Sequence, residues 1–179
     1  MRFYILLFLF TATTIMSAYG QIFTGVGSVS LNQKDLSLTS TQLVGRYTPD
    51  QHLISFMVKT QSLLFDASDS EKTFLREVML MDVNPLMSLE FDMKAFPEIA
   101  ADTDFPAKTL DIPLTLRYND RAVSIKIPVS LEKQGASLTF SAHTDVLLSD
   151  LAIYLSGEEK NKYDFPLSIV VNPTVLTRR

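Results

Sequence analysis

Residues 110–132 read LDIPLTLRYNDRAVSIKIPVSLE, and the fold follows from how this stretch alternates. Leu110, Ile112, Leu114, Leu116 and Tyr118 fall on one side. Asp111, Pro113, Thr115, Arg117 and Asn119 fall on the other. After Asn119-Asp120 the alternation resumes with Val123, Ile125, Ile127, Val129 and Leu131 against Ser124, Lys126, Pro128, Ser130 and Glu132. A period of two marks strands buried on one face. Asn and Asp tolerate the positive φ of a two-residue turn, so the stretch reads as an antiparallel hairpin.

The pattern spreads outward from there. Met87, Leu89, Phe91 and Met93 alternate with Ser88, Glu90, Asp92 and Lys94, and Ile54, Phe56 and Val58 with Ser55, Met57 and Lys59. Further runs are Leu138, Phe140, Ala142, Thr144, Val146 and Phe165, Leu167, Ile169, Val171. Turns fall at Asn32-Gln33-Lys34-Asp35, at Thr48-Pro49-Asp50-Gln51, where Pro presets φ, and at Lys133-Gln134-Gly135. About eight strands result, near residues 23–31, 36–48, 51–65, 86–96, 107–118, 121–132, 136–147 and 163–175. Only one segment departs from this period. Ser68-Asp69-Ser70-Glu71 has the form of a capping box, and Phe74, Leu75, Val78 and Met81 follow at helical spacing, giving an amphipathic helix over about 69–81. Eight antiparallel strands and one helix fit a sandwich or a closed barrel, and periodicity does not choose between them.

The N-terminus has the layout of a secretory signal peptide: Arg2, the apolar run Phe3–Phe10, then Ser17-Ala18-Tyr19-Gly20 with small residues ahead of a cut before Gln21. The reading is a signal over 1–20 and one domain over 21–179, periplasmic or secreted, with no transmembrane segment after cleavage. The absence of cysteine excludes disulfides and thiolate metal sites, so stability has to come from a packed core. The net charge of −4 and the lack of a basic run argue against nucleic acid and anionic membrane surfaces as partners.

The stretch Leu114 to Val123 resembles the strand, turn and basic residue of the YceI-like family, whose members are exported. Gly45 before the Pro49 turn, Gln61-Ser62-Leu63, Asp82-Val83-Asn84-Pro85 with Leu89-Glu90-Phe91, and Ser149-Asp150-Leu151-Ala152-Ile153 resemble further family features in the same order. The resemblance spans Val44 to Val171. It implies a mainly β fold, an eight-stranded antiparallel lipocalin-like barrel with one amphipathic helix, binding a polyisoprenoid or other long-chain apolar molecule. This chain departs from the family at Glu71-Lys72-Thr73-Phe74-Leu75, where only the leucine of an Arg-Asp-x-His-Leu pattern is kept, at Tyr118, and at Leu151-Ala152.

Parity and the methionine cluster name a candidate lining: Phe56, Val58, Met79, Met81, Phe91, Met93, Leu114, Leu116, Ile125, Ile127 and Phe140. The ligand expected there is of isoprenoid, quinone or fatty-acid type, with Arg46, Arg117 or Arg121 available to a polar head group. No catalytic residue, metal ligand or cofactor is expected. His52 and His143 lack companions at ligand spacing, and Asp66, Asp69, Glu71, Glu158 and Glu159 read as caps and solvated turns. A homodimer is compatible with this reading. The alternative is a non-enzymatic structural or interaction module whose barrel is filled by its own side chains.

Overall fold

The computed structural model describes residues 22–33, 36–66, 86–96, 99, 103–118, 121–147 and 166–179. The expected signal segment, the helix over 69–81, the Asn119-Asp120 turn and residues 149–153 lie outside the described residues.

Nine strands form: β1 (Phe23–Gln33), β2 (Leu36–Thr48), β3 (Leu53–Lys59), β4 (Leu64–Asp66), β5 (Leu86–Asp92), β6 (Phe105–Tyr118), β7 (Arg121–Gln134), β8 (Ser137–Val146) and β9 (Leu167–Arg178). They lie in the order β1-β9-β8-β7-β6-β5-β3-β2, and β2 pairs back onto β1. Every pairing between the described strands is antiparallel, and the β2–β1 pairing closes the sheet into a barrel rather than a sandwich. β3 and β4 share one edge of β2, pairing with Val44–Thr48 and Ser37–Thr39 respectively. They therefore fill one position, and the ring has eight.

The expected single strand over 51–65 is interrupted by a 3-10 turn, Thr60–Ser62. The Ser62 hydroxyl donates to the Lys59 carbonyl at 2.7 Å and lies 2.7 Å from Ser40 Oγ, which accepts the Gln42 amide at 3.1 Å. Hydroxyls thus satisfy backbone groups that the broken ladder leaves over. β5 ends earlier than expected because the Lys94 amide bonds the Asp92 carboxylate at 3.0 Å and starts a turn.

Two bulges reset the alternation. Thr41 and Gln42 together oppose Ser28, and Asn172 and Pro173 oppose Ser141, so the inward set runs Leu38, Ser40, then Leu43, Gly45, Tyr47 on β2 and Val171, then Thr174, Leu176 on β9. Pro173 is tolerated because a bulge leaves its position unpaired in the ladder.

Where β9, β1 and β2 meet, the inward positions are glycines. A Cβ on Gly25 would lie 2.1 Å from the Val175 carbonyl oxygen, on Gly27 2.0 Å from Thr174 Oγ1, and on Gly45 2.6 Å from both Leu176 Cδ2 and Phe56 Cε1. The missing side chains let Leu176, Thr174 and Phe56 press directly on the opposing backbone. Glycine in a strand ordinarily weakens it, so alanine would be expected to help at a neutral site. Here the sign reverses. Gly25→Ala should destabilise by several kcal/mol because a backbone carbonyl has to move, and Gly45→Ala by about 1–3 kcal/mol because side-chain ends can yield. Urea unfolding of the two variants checks both the sign and the ranking.

Candidate functional site: the barrel interior

One end of the barrel, where the β2–β3 turn, Met93–Phe96, Ile99, Asp104 and the β7–β8 turn lie, is closed by aromatic and polar groups. The Phe23 and Tyr47 rings pack with centroids 5.6 Å apart, and Met93 and Ile99 are fully buried beside them. The Met93 amide donates to the His52 carbonyl at 2.7 Å, tying the 93–104 connection to the turn where His52 sits at φ 50°. Lys133 occupies the last inward position of β7; its ammonium lies 3.6 Å from Asp104, which also accepts the Gly135 amide at 2.8 Å.

The Tyr47 hydroxyl donates to the Ile99 carbonyl at 3.1 Å, and burial pushes its pKa up to about 12 from 10.0. The unfolded chain therefore gives up this proton first as pH rises. Below pH 10 both states are protonated and the stabilisation is complete; it is lost as pH climbs from 10 toward about 12. Tyr47→Phe should cost about 1 kcal/mol at pH 8 and lose less than the parent between pH 10 and 12, read by urea unfolding across that range.

The middle of the barrel holds three phenylalanines from three strands. Phe140 lies 4.7 Å from both Phe56 and Phe91 by ring centroid, and Phe56 and Phe91 meet edge to face at 6.0 Å. All three are 0% exposed, as are Leu43, Leu116 and Leu131. These side chains meet no water-sized gap. This level is solid core.

Beyond it, toward the end where β1 leads to β2 and β8 leads on to β9, the inward residues include Val29, Leu31, Leu38, Val58, Met87, Ile127, Ala142, Val146, Leu167 and Ile169. Exposure returns there, reaching 7% at Ala142, while Val123 and Ile125 are half-buried. The wall itself changes at this level. Among the described residues β7 pairs with β8 only from Val129↔Ala142 to Gln134↔Ser137, whereas β8 continues to pair with β9 through Val146. Among the described residues 122–128 of β7 thus have partners on the β6 side alone, and this seam lies beside Ile125, Ile127, Ala142 and Val146.

The structure brings together the expected lining residues in two groups. Phe56, Phe91, Phe140 and Met93 belong to the packed centre and closed end, with Leu114 and Leu116 against them. Val58, Ile125 and Ile127 lie toward the seam; Met79 and Met81 lie outside the described residues. Ala142, Val146 and Leu167 complete the seam end and were absent from the sequence-derived set, although their parity in the runs Leu138–Val146 and Phe165–Val171 already placed them inward.

The arginines do not serve the interior. Arg46 points outward, and Arg117 is outward on β6, its Nε bonded to Glu90 Oε2 at 3.2 Å; the Arg121 side chain is outside the described residues. Strand parity thus turns both Arg46 and Arg117 to the outside of the barrel. Among the described residues four polar ones are buried, Ser40, Thr60, Lys133 and Thr174.

On the outer face, His143, Ser168 and Asp145 gather in a way that invites comparison with a nucleophilic triad. Ser168 Oγ lies 2.7 Å and Asp145 Oδ1 3.5 Å from the same ring nitrogen, Nε2. A relay needs the carboxylate on Nδ1 to orient the ring while Nε2 serves the hydroxyl, so this exposed trio is a surface contact. Among the described residues no three His, Cys, Asp or Glu side chains gather as metal ligands, and no helix is long and apolar enough to cross a membrane.

No family model and no curated protein matches the chain. Solved structures do. A polyisoprenoid binding domain from Saccharophagus degradans, implicated in plant cell wall breakdown, matches with a TM-score of 0.58 at 12% identity, over 90% of this chain and 98% of that one. BcnA of Burkholderia cenocepacia matches with a TM-score of 0.56 at 14% identity, over 86% and 96%. The chain shares the fold of these proteins. A YceI protein of Campylobacter jejuni is also among the neighbours, with a TM-score of 0.47 at 13% identity over 83% of this chain and 82% of that one.

The packed centre carries a direct test. Phe140→Ala removes the ring that touches both partners and should destabilise by about 3–5 kcal/mol in urea unfolding.

Proposed function

We propose that the protein is a non-enzymatic carrier that holds a long-chain apolar ligand, of isoprenoid, quinone or fatty-acid type, in the half of the barrel between the phenylalanine cluster and the β7–β8 seam. The observation that carries this reading is the change in packing along the barrel axis: the aromatic level is fully buried, while Ile125 is half-buried and Ile127, Ala142 and Val146 lie beside it, where β7 and β8 have no pairing among the described residues. An apolar tail there would release water from wall and tail together, at roughly 25 cal/mol for each Å² buried. Small-molecule sites are mostly apolar concavities of this kind, and an eight-stranded barrel has room for one ligand where its lining does not fill it.

The polyisoprenoid-binding neighbour of the same fold supports the ligand class. Phe56, Phe91, Leu114, Leu116 and Phe140 act as the floor of this site, with Met93 packed at the closed end behind them; Val58, Ile125 and Ile127 act as its wall, and Met79 and Met81 are proposed as further lining. Residues 1–20 are proposed as a signal for export, leaving one barrel domain over 21–179 in the periplasm or secreted. The full burial of the barrel centre favours a second reading, a barrel filled by its own side chains that serves as a structural or interaction module.

Ala142→Phe separates the two. If the seam end is open, the new ring occupies free space, stability is unchanged, and uptake of a prenyl alcohol or fatty acid, followed by native mass spectrometry, falls at least about tenfold. If the barrel is solid, the same ring overpacks the wall and costs about 1–3 kcal/mol, and the parent takes up no lipid at all. That second outcome overturns the carrier reading.

A further inference from the structure

Apolar residues exposed on the outside of the barrel are not scattered. Val26, Val44 and Met57 sit side by side across β1, β2 and β3, in the pairs Val26↔Val44 and Val44↔Met57. Val175 of β9 lies next to Val26, two residues from the Thr24↔Thr177 pair on each strand. Leu86 of β5 opposes Lys59, one outward position along from Met57. These are five of the six large apolar side chains that stand exposed among the described residues, and the four on β9, β1, β2 and β3 are between 47% and 68% exposed. The backbones of Val44 and Met57 are paired on both sides, so the centre of the stripe is a surface of side chains rather than an open strand edge.

Charge is distributed around this stripe in a way that the average conceals. The chain has 20 Asp and Glu against 16 Lys and Arg, yet β1, β2, β3 and β9 contain no Asp or Glu. The charged residues on these four strands are Arg46, Lys59 and Arg178, and Arg46 and Lys59 are exposed at the flanks of Val44 and Met57. Acidic residues lie on the other strands: Asp66 at the end of β4, opposite Ser37 of β2, and Glu90, Asp92, Asp111, Glu132 and Asp145. An overall negative charge reads against an anionic surface as partner only if the charge is evenly spread, and here it is segregated.

We propose that the outer face of β9-β1-β2-β3 docks on an anionic lipid bilayer, with Val26, Val44, Met57 and Val175 entering the interface and Arg46 and Lys59 meeting the phosphate headgroups. Apolar side chains that enter the headgroup boundary and cations that meet anionic lipid together make up peripheral membrane binding. A two-fold contact between copies through the same face would set Arg46 and Lys59 of one copy near those of the other, so the charges favour a lipid surface over a second copy. The proposal does not require an occupied interior, so its failure and that of the carrier reading are separate.

Co-sedimentation of the full chain with vesicles of phosphatidylcholine containing phosphatidylglycerol, against phosphatidylcholine alone, tests it. Binding should appear with the anionic vesicles, weaken as salt is raised, and fall at least about tenfold in Arg46→Glu/Lys59→Glu and in Val44→Ser/Met57→Ser. All four substituted side chains point outward, so thermal unfolding of the variants should match the parent, and Ala142→Phe should bind as the parent does. Equal binding to both vesicle types, or binding unchanged in the charge-reversed variant, overturns the proposal. So does the absence of vesicle binding, whether the protein is monomeric or self-associates in a way that Val44→Ser/Met57→Ser abolishes, since the latter would assign the face to a second copy.

Discussion

Ring closure at β1 is the constraint from which the rest of this structure follows. β1 pairs with β2 along one edge and with β9 along the other, so the first and last described strands complete a single sheet and leave the ring without a free edge. The side chains at this junction set how tightly it closes. Gly25 and Gly45 face each other across the β1–β2 pair, and with Gly27 they allow Leu176, Thr174 and Phe56 to approach backbone where a Cβ would stand. Phe56 lies against Gly45 on one side and meets Phe91 and Phe140 on the other, so the glycine makes room for one of the three rings that fill the centre.

Much of this architecture is legible in the sequence because it is written in period two. The Leu110–Glu132 stretch forms the β6–β7 hairpin in the expected register, with Leu114 opposite Ile125 and Leu116 opposite Val123, and most of the described inward set from Ile54 to Val171 is buried as parity requires, with Leu110, Val123, Ile125 and Thr144 half-buried. Three features escape that reading for physical reasons. Bulges at Thr41-Gln42 and Asn172-Pro173 shift parity by one residue, which alternation registers only as a lapse. The break between β3 and β4 depends on hydroxyl contacts between Ser40 and Ser62, residues that are 22 positions apart. Closure rests on pairing between distant strands, which periodicity cannot express, and the family resemblance rather than the alternation pointed to a barrel.

The interior was legible as a face and illegible as a volume. Parity correctly turns Phe56, Phe91, Leu114, Leu116 and Phe140 inward, yet nothing in a list of inward residues tells that three rings meet at one level while Ile125 and Ala142 lie where the wall parts. Net charge fails in a related way. A sum over the chain says nothing of the four neighbouring strands that carry no carboxylate, because strands far apart in sequence become neighbours only when the ring forms.

The side chain of Asn172 donates to Ser28 at 3.0 Å across a separation of 144 residues, and the amide of Arg179 reaches the carbonyl of Ile22 at 3.0 Å. Contacts of such sequence distance carry the full entropic cost of loop closure before they return any stabilisation, so they form late and slowly. Until β9 arrives, the growing sheet has two open margins, one on β1 and one on β8, each able to capture a stray strand. A chain of this design is consequently most exposed to mispairing just before it is finished, and it gains its freedom from edges in a single final step.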